Sequence, residues 1–203
     1  MEPAMNHYDI SGLVPGTQAE PHAPSRAIHP APALRVPGEP LPDMNDTAVI
    51  TAGLAGAFYN AGIDRLRRGD LPGCITDFTE AIRLDPDFAL AMNNRGVARE
   101  ELGDLEGAAR DYEAALTADS RLALAWNNRG LIRFKEADYA GAIRDFSRAI
   151  ATDAAYVSAR HNRGIALCHL GDLEGAIRDF ENALKLDPKH TESRFELIAL
   201  RGA

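Results

Sequence analysis

The chain has 203 residues, of which 45% are hydrophobic, 6% aromatic and 26% charged, and its formal net charge is −8. This composition is typical of a helical protein with few large side chains for a single globular core. Nucleic acids and anionic membranes are bound by clustered lysine and arginine, so the acidic balance argues against both partners. A basic protein partner is compatible with it.

The cysteines and the N-terminal sequence bear on localisation. Cys74 and Cys168 form no metal-binding or redox motif, which favours a reducing compartment. No apolar run is long enough to span a bilayer, and the first residues lack the basic and apolar regions of a secretory signal. We therefore expect a cytoplasmic protein. Translation from Met44 would place a mildly apolar stretch first and leaves export as the alternative.

Residues 1–45 form a proline-rich segment that we predict to be a disordered tail. Proline removes backbone donors and biases the preceding residue away from helix. The pairs Pro21/Pro24 and Pro37/Pro40 have the spacing of ligands for polyproline-binding modules. A plain linker this rich in proline produces the same spacing by chance, so both interpretations stay open.

Residues 46–190 contain a sequence that repeats with a period of 34 residues. GDLPGCITDFTEAIRLDP at 69–86 returns as GDLEGAARDYEAALTADS at 103–120 and as GDLEGAIRDFENALKLDP at 171–188. NNRG occurs at 93–96 and at 127–130, and HNRG at 161–164. The repeat predicts four units, 55–88, 89–122, 123–156 and 157–190, and positions are numbered below within each unit.

Each unit carries the residues of a helix-turn-helix. Glycine at position 8 permits close helix packing, and glycine at position 15, replaced by Ala137 in the third unit, ends the first helix. Aspartate at position 16 caps the second helix, and an aromatic residue at position 24 fills the core. Asp85-Pro86 and Asp187-Pro188 are expected to start the next helices. The residues at positions 8, 16 and 24 are Gly62, Gly96, Gly130, Gly164; Asp70, Asp104, Asp138, Asp172; and Phe78, Tyr112, Phe146, Phe180.

This pattern closely resembles the tetratricopeptide repeat (TPR) family, whose signature includes this period, Gly at 8, Ala at 20 and 27, an aromatic at 24 and Pro at 32. The resemblance implies an all-α, right-handed α-solenoid of four helix pairs. Residues 191–203 continue the phase of a first helix, and we expect them to form a C-terminal capping helix. Its residues Phe195, Leu197, Ile198 and Leu200 are predicted to cover the fourth unit.

The resemblance also implies that the first helices line a concave groove. Asparagine occupies position 6 of every unit and can pair with both groups of a peptide bond. We therefore expect a ladder of asparagines, flanked by apolar pockets, to bind a peptide; their alternative role is to stabilise the first helix. The predicted partner-binding residues are Tyr59, Asn60, Asn93, Asn94, Asn127, Asn128, Leu131, Phe134, His161, Asn162 and Ile165.

The groove departs from the chaperone-tail clamp known in this family. The five clamp positions are occupied by Tyr59, Ile63, Asn94, Leu124 and Asn128, and only Asn94 matches the clamp residue. Recognition of an acidic carboxyl-terminal tail in that mode is therefore not expected.

Aspartate at position 23 and arginine at position 7 suggest ion pairs between units. If the second helix of one unit packs on the first helix of the next, the pairs are Asp77–Arg95, Asp111–Arg129 and Asp145–Arg163. We predict that these pairs fix the register between neighbouring units.

No catalytic, cofactor or metal site is predicted. His161, Cys168 and His169 share a helix face but span too great a length to converge on one ion, and no phosphate-binding glycine loop occurs. The predicted function is a protein–protein interaction scaffold, not an enzyme, that binds a peptide or protein in its groove. The alternative is a self-assembling or regulatory subunit of a larger complex that uses its convex face or its tail.

Overall fold

The computed structural model describes residues 47–202 and the predicted tail at 1–45 lies outside them. Within the described range the chain forms nine α-helices and no strand. They are α1 Thr47–Arg67, α2 Leu71–Leu84, α3 Ala89–Glu101, α4 Leu105–Ala118, α5 Ala123–Lys135, α6 Tyr139–Thr152, α7 Val157–His169, α8 Leu173–Leu186 and α9 Thr191–Gly202. Each of the first four odd-numbered helices packs on the helix that follows it, and each pair packs on the next pair. The predicted all-α solenoid is therefore confirmed.

The glycine at position 8 lets the two helices of a pair meet around one aromatic ring. Phe78, Tyr112, Phe146 and Phe180 are completely buried. A Cβ atom on Gly130 would lie 2.7 Å from the Phe146 ring, and the three other units repeat this close approach. Because such a contact is far inside van der Waals distance, glycine is required where the first helix crosses the ring.

The turn inside each pair follows the predicted pattern. Asp138 caps α6 by accepting a hydrogen bond from the Gly141 amide at 2.8 Å, and the other three units have the same cap. Gly69, Gly103 and Gly171 have φ of 76°, 83° and 81°, the left-handed conformation that glycine adopts without strain. Ala137 is held at φ 61° at the equivalent place in the third unit.

Replacing Ala137 with glycine is expected to stabilise the protein. The left-handed conformation costs an L-residue about 1–2 kcal/mol. Glycine removes this strain from the folded state, but it also raises the conformational entropy of the unfolded chain, which offsets part of the stabilisation. We expect the free energy of unfolding to rise by about 0.5–1 kcal/mol in urea titrations followed by circular dichroism. Ala57→Gly, at an exposed position inside α1, is the control and should lower it by up to about 1 kcal/mol. A loss of stability in Ala137→Gly would contradict the inference that Ala137 is strained.

The loop between pairs differs from its prediction. Asp85 and Asp187 do not start helices: each follows the last residue of a second helix, and its carboxylate accepts a hydrogen bond from the backbone amide two residues later. Phe88, not Asp85, precedes the first residue of α3. The short side chain of Asp85 is satisfied by a local turn, which places the new helix three residues later.

The predicted ion pairs between units are wrong. Each arginine at position 7 binds the aspartate at position 23 of its own unit, because these positions face each other across the helix pair. The pairs Arg95–Asp111, Arg129–Asp145 and Arg163–Asp179 have distances of 2.7, 2.8 and 2.7 Å. The contact to the preceding unit goes to position 25: Arg95 donates to the Thr79 hydroxyl at 3.1 Å. Arg163 likewise donates to the Ser147 hydroxyl at 3.0 Å, so two of the three unit junctions have this contact.

The helix α9 covers the fourth unit, although two of its predicted contacts are wrong. Leu197 is buried and Leu200 half-buried, whereas Phe195 is 72% exposed and Ile198 63% exposed. At 100° per residue, Leu197 and Leu200 share a face with Ser193, and Phe195 and Ile198 lie on the opposite face. The buried face of α9 is therefore narrower and more polar than predicted.

Candidate functional site

The first helices lie on the inner side of the solenoid. In successive pairs, α1, α3, α5 and α7 approach one another more closely than α2, α4, α6 and α8 do. A stack whose first helices are closer together curves towards them. The residues at positions 5, 6, 9 and 12 of these helices therefore form or support the concave face.

Five of the six predicted asparagines, all but Asn60, are joined in one hydrogen-bonded chain that begins at Tyr59 of the first unit and reaches the fourth. The Asn94 amide donates to the Tyr59 hydroxyl at 3.1 Å, and Asn93 donates to Asn94 at 3.1 Å. Further along, Asn128 donates to Asn93 at 3.1 Å, Asn127 to Asn128 at 3.4 Å and Asn162 to Asn127 at 3.0 Å. Alternate bonds connect positions 5 and 6 across neighbouring units. The amides therefore satisfy one another along the stack.

Burial changes the interpretation of these asparagines. Asn127 and Asn162 are fully buried, Asn93 is 1% exposed and Asn128 2% exposed. Of the position-6 asparagines, Asn128 and Asn162 are therefore enclosed by protein, and a peptide-binding role for them stays a prediction. Buried amides are costly unless they are hydrogen-bonded, and this chain of contacts provides those bonds. In the third and fourth units the ladder stabilises the contact between neighbouring first helices.

The predicted apolar residues of the groove are also buried. Leu131, Phe134 and Ile165 belong to one core cluster with Phe146 and Phe180. Phe134 is 2% exposed and its ring packs edge-on against Tyr139 at 5.1 Å. These residues join the third and fourth helix pairs, and their contribution to a binding surface stays a prediction.

The open part of the predicted set lies at the first two units. Asn60 is exposed, and Tyr59 and Asn94 are half-buried. The Tyr59 ring lies 4.9 Å from the ring of Phe88, and burial raises the pKa of its hydroxyl. The phenol is thus neutral and rigid, with its oxygen bound by Asn94. This end of the concave face presents amide and aromatic groups that a partner can reach.

His161, which precedes Asn162 in the sequence, makes a polar contact with the last helix. Its Nδ1 lies 3.1 Å from the hydroxyl of Ser193 on α9, and both residues are fully buried. Sequence reasoning missed Ser193. Position 3 holds a small residue in every unit, namely Ala57, Ala91, Ala125 and Ala159, and that pattern indicated an inward-facing Ser193.

The cysteines and His169 are packed in the interior or against an aromatic ring. Among the described residues, no group of three histidine, cysteine, aspartate or glutamate side chains is placed to hold a metal ion. Both cysteines are buried thiols, and burial raises the pKa of Cys74 to about 11. His169 stacks on Tyr139 at 4.5 Å, and burial lowers its pKa. A neutral thiol is a poor nucleophile, so Cys74 is unsuited to covalent catalysis.

Over residues 47–202 no helix combines the length and the apolar character needed to cross a bilayer.

Solved structures with the same fold include proteins of low identity. Residues 41 to the end of MamA from Desulfovibrio magneticus are 20% identical, with 73% of this chain and 93% of that chain covered and a TM-score of 0.60. PilF of Pseudomonas aeruginosa is 24% identical, with 74% and 68% covered and a TM-score of 0.69. At these identities the similarity shows the fold alone.

The second TPR domain of human RPAP3, solved in complex with an HSP70 peptide, is 33% identical over 56% of this chain and 94% of that domain, with a TM-score of 0.53. A comparison with curated proteins found no significant match. Two tetratricopeptide repeat family models match the sequence, one over residues 59–123 and one over residues 157–190. Together with the repeated helix pairs, these matches show that the chain belongs to the tetratricopeptide repeat family.

Proposed function

We propose that the concave face of the first two helix pairs binds an extended segment of a protein partner. Tetratricopeptide repeat domains are typically non-enzymatic modules for protein interaction, and this chain is a scaffold of that kind. The observation that carries the finer proposal is the accessible group formed by Tyr59, Asn60 and Asn94 on the inner side of the solenoid. RPAP3, at 33% identity, uses a domain of this fold to bind an HSP70 peptide.

The chemistry of this group favours main-chain recognition. Asn60 offers a donor and an acceptor to a peptide bond, and Leu90, at position 2 of the second unit, is half-buried and leaves some apolar surface open. The ligand differs from the chaperone tails, because Tyr59 and Ile63 stand at places where the chaperone-tail clamp carries lysine and asparagine. A ligand with mixed side chains and an extended backbone fits these groups.

The test is quantitative co-purification from native lysate with two charge-matched variants of the full chain. Asn60→Arg/Asn94→Arg adds two positive charges to the concave face. Thr76→Arg/Thr117→Arg adds the same charge at exposed positions of α2 and α4. Circular dichroism must first show equal helicity for both. We expect partners of the wild type to fall at least about tenfold with the first variant only, equivalent to about 1.4 kcal/mol.

Two results would contradict binding at the concave face. Retention of the same partners by Asn60→Arg/Asn94→Arg would show that binding occurs elsewhere. Equal loss from both variants would show a general charge effect, since the two pairs of substitutions share charge and differ only in the face that they alter.

A further inference from the structure

An open pocket of about 500 Å³ lies between α5 and α6, away from the concave residues discussed above. Its walls are formed by Trp126, Arg129 and Arg133 of α5 and by Ile143, Arg144, Asp145, Ser147 and Arg148 of α6. The pocket shares no residue with the proposed groove. It therefore needs an explanation of its own.

The pocket carries a local excess of positive charge in an acidic chain. Arg129 and Arg133 both bind Asp145, at 2.8 and 2.7 Å. Arg144 and Arg148 are exposed, and neither forms an ion pair or a hydrogen bond with any other residue in the described range 47–202. The pocket lining thus holds four guanidinium groups and one carboxylate. With Glu113, whose charge acts on Arg129, the local surplus is two positive charges, whereas the whole chain carries −8.

Comparison of the units shows that this site is built once. Arg110 and Arg178 occupy the position of Arg144 in the second and fourth units, and each pairs with a glutamate one turn earlier, Glu106 or Glu174. In the third unit that earlier residue is Ala140, so Arg144 has no acidic residue one turn before it on α6. The position of Arg148 is occupied by Glu80, Ala114 and Asn182 in the other units. The ion pairs of Asp145 recur in the second unit, where Arg95 and Arg99 bind Asp111, whereas the unpaired Arg144 and Arg148 occur once in the described units.

An apolar wall stands beside the two unpaired arginines. Trp126 is half-buried, and its indole N–H donates to the Ser120 carbonyl at 2.8 Å, which fixes the ring. The Arg129 guanidinium lies 4.8 Å from the ring centroid, and Ile143 is half-buried in the same wall. Trp126 is the only tryptophan in the chain. A ligand here meets both charge and a flat apolar surface.

We propose that this pocket binds an acidic peptide segment of a protein partner. Carboxylates of the segment pair with Arg144 and Arg148, for which arginine is suited by its two-pronged donor geometry. An apolar side chain of the same segment packs against Trp126 and Ile143. A nucleic acid is disfavoured because the basic surface is confined to one pocket of an otherwise acidic protein.

The experiment follows the fluorescence of Trp126 in the full chain. The probe is a synthetic hexapeptide of alternating glutamate and leucine, titrated to millimolar concentration, and its counterpart has glutamine in place of glutamate. We expect a saturable change in Trp126 emission as the acidic peptide is added, and we expect added salt to weaken the binding. Arg144→Glu/Arg148→Glu should raise the Kd at least about tenfold, because two charge-assisted contacts become repulsive. The control Arg110→Glu/Arg178→Glu makes the same charge change at exposed sites and should leave the Kd within about twofold.

Several outcomes would overturn the proposal: no binding of the acidic peptide, equal binding of the glutamine peptide, or equal weakening by both pairs of substitutions. A fourth concerns the chain's own acidic segment. If Glu39→Gln/Asp43→Gln/Asp46→Gln alters Trp126 emission and tightens peptide binding, the occupant is that segment and not a partner. Unchanged emission in this variant, together with the expected effect of Arg144→Glu/Arg148→Glu, supports an external acidic ligand.

Discussion

Asp145→Ala is expected to lower the free energy of unfolding by about 3–5 kcal/mol, the loss found when one partner of a buried ion pair is removed. The Asp145 side chain is only 3% exposed. Its two oxygens accept two hydrogen bonds from Arg129, and its Oδ2 also pairs with Arg133. The hydrogen bond to Asp145 raises the pKa of Arg129, so this guanidinium stays charged at every practical pH. Without the carboxylate, Arg129 and Arg133, which lie one turn apart on α5, lose the negative charge that they share. Urea unfolding followed by circular dichroism measures the loss.

Asp77→Ala is the matched control because it removes the carboxylate at the same repeat position, 23, in the first unit. Among residues 47–202, Asp77 pairs only with Arg65, at 3.3 Å, and the Arg65 side chain is 44% exposed. One carboxylate oxygen of Asp77 is buried without a hydrogen bond. An ion pair with a solvated partner contributes about 0–1 kcal/mol, so Asp77→Ala should cost no more than that. Equal losses at Asp77 and Asp145 would contradict the argument from burial.

A double variant separates lost attraction from an unpaired charge. If the cost at Asp145 comes from leaving arginines uncompensated, Asp145→Leu/Arg129→Met should recover part of the stability that Asp145→Ala loses. If stability stays as low as in Asp145→Ala, the ion pair itself provides a net contribution. Either result apportions the energy of a contact that recurs in the stack.

The repeat pattern predicts what happens within a unit. Gly130 and Phe146 are far apart in sequence, but the same spacing in four units indicates that position 8 meets position 24. The aspartate caps follow for the same reason, since a carboxylate directly after a left-handed turn reaches the first free amides of the next helix. These features depend on short-range geometry, and the structure has them as predicted.

Contacts between units were predicted less well. The period indicates which residues share a helix face, but it does not determine how closely neighbouring first helices approach. For that reason the period does not indicate that Asn128 and Asn162 are buried, and it pairs Asp111 with Arg129 in place of Arg95. Burial and partner choice depend on the inter-helix distance, which the small side chains at position 3 set only indirectly.

Arg144 shows the opposite limit. Arginine also occupies this position in the second and fourth units. Arg144 differs from those arginines because Ala140 replaces the glutamate that pairs with each of them. A search for residues that recur in all units passes over a site built once. The comparison of units against each other, position by position, is the sequence signal that identifies Arg144 and Arg148.

Asn162→Ala tests whether the asparagine chain holds the stack together. Asn162 is completely buried and its amide donates to Asn127 at 3.0 Å, so the substitution removes a donor from a buried carbonyl oxygen. A buried polar group that loses its partner costs about 1–3 kcal/mol, and we expect a loss of about 2 kcal/mol in urea unfolding.

Asn60→Ala changes the same position of the repeat where the side chain is exposed, and the stability should change by less than about 0.5 kcal/mol. A loss at Asn60 equal to that at Asn162 would mean that asparagine at position 6 acts through its own helix. A loss confined to Asn162 means that the amide acts between helices. Asparagine at position 6 then has a structural role only where neighbouring first helices bury it: Asn162 joins units in the interior of the stack, whereas Asn60 is exposed.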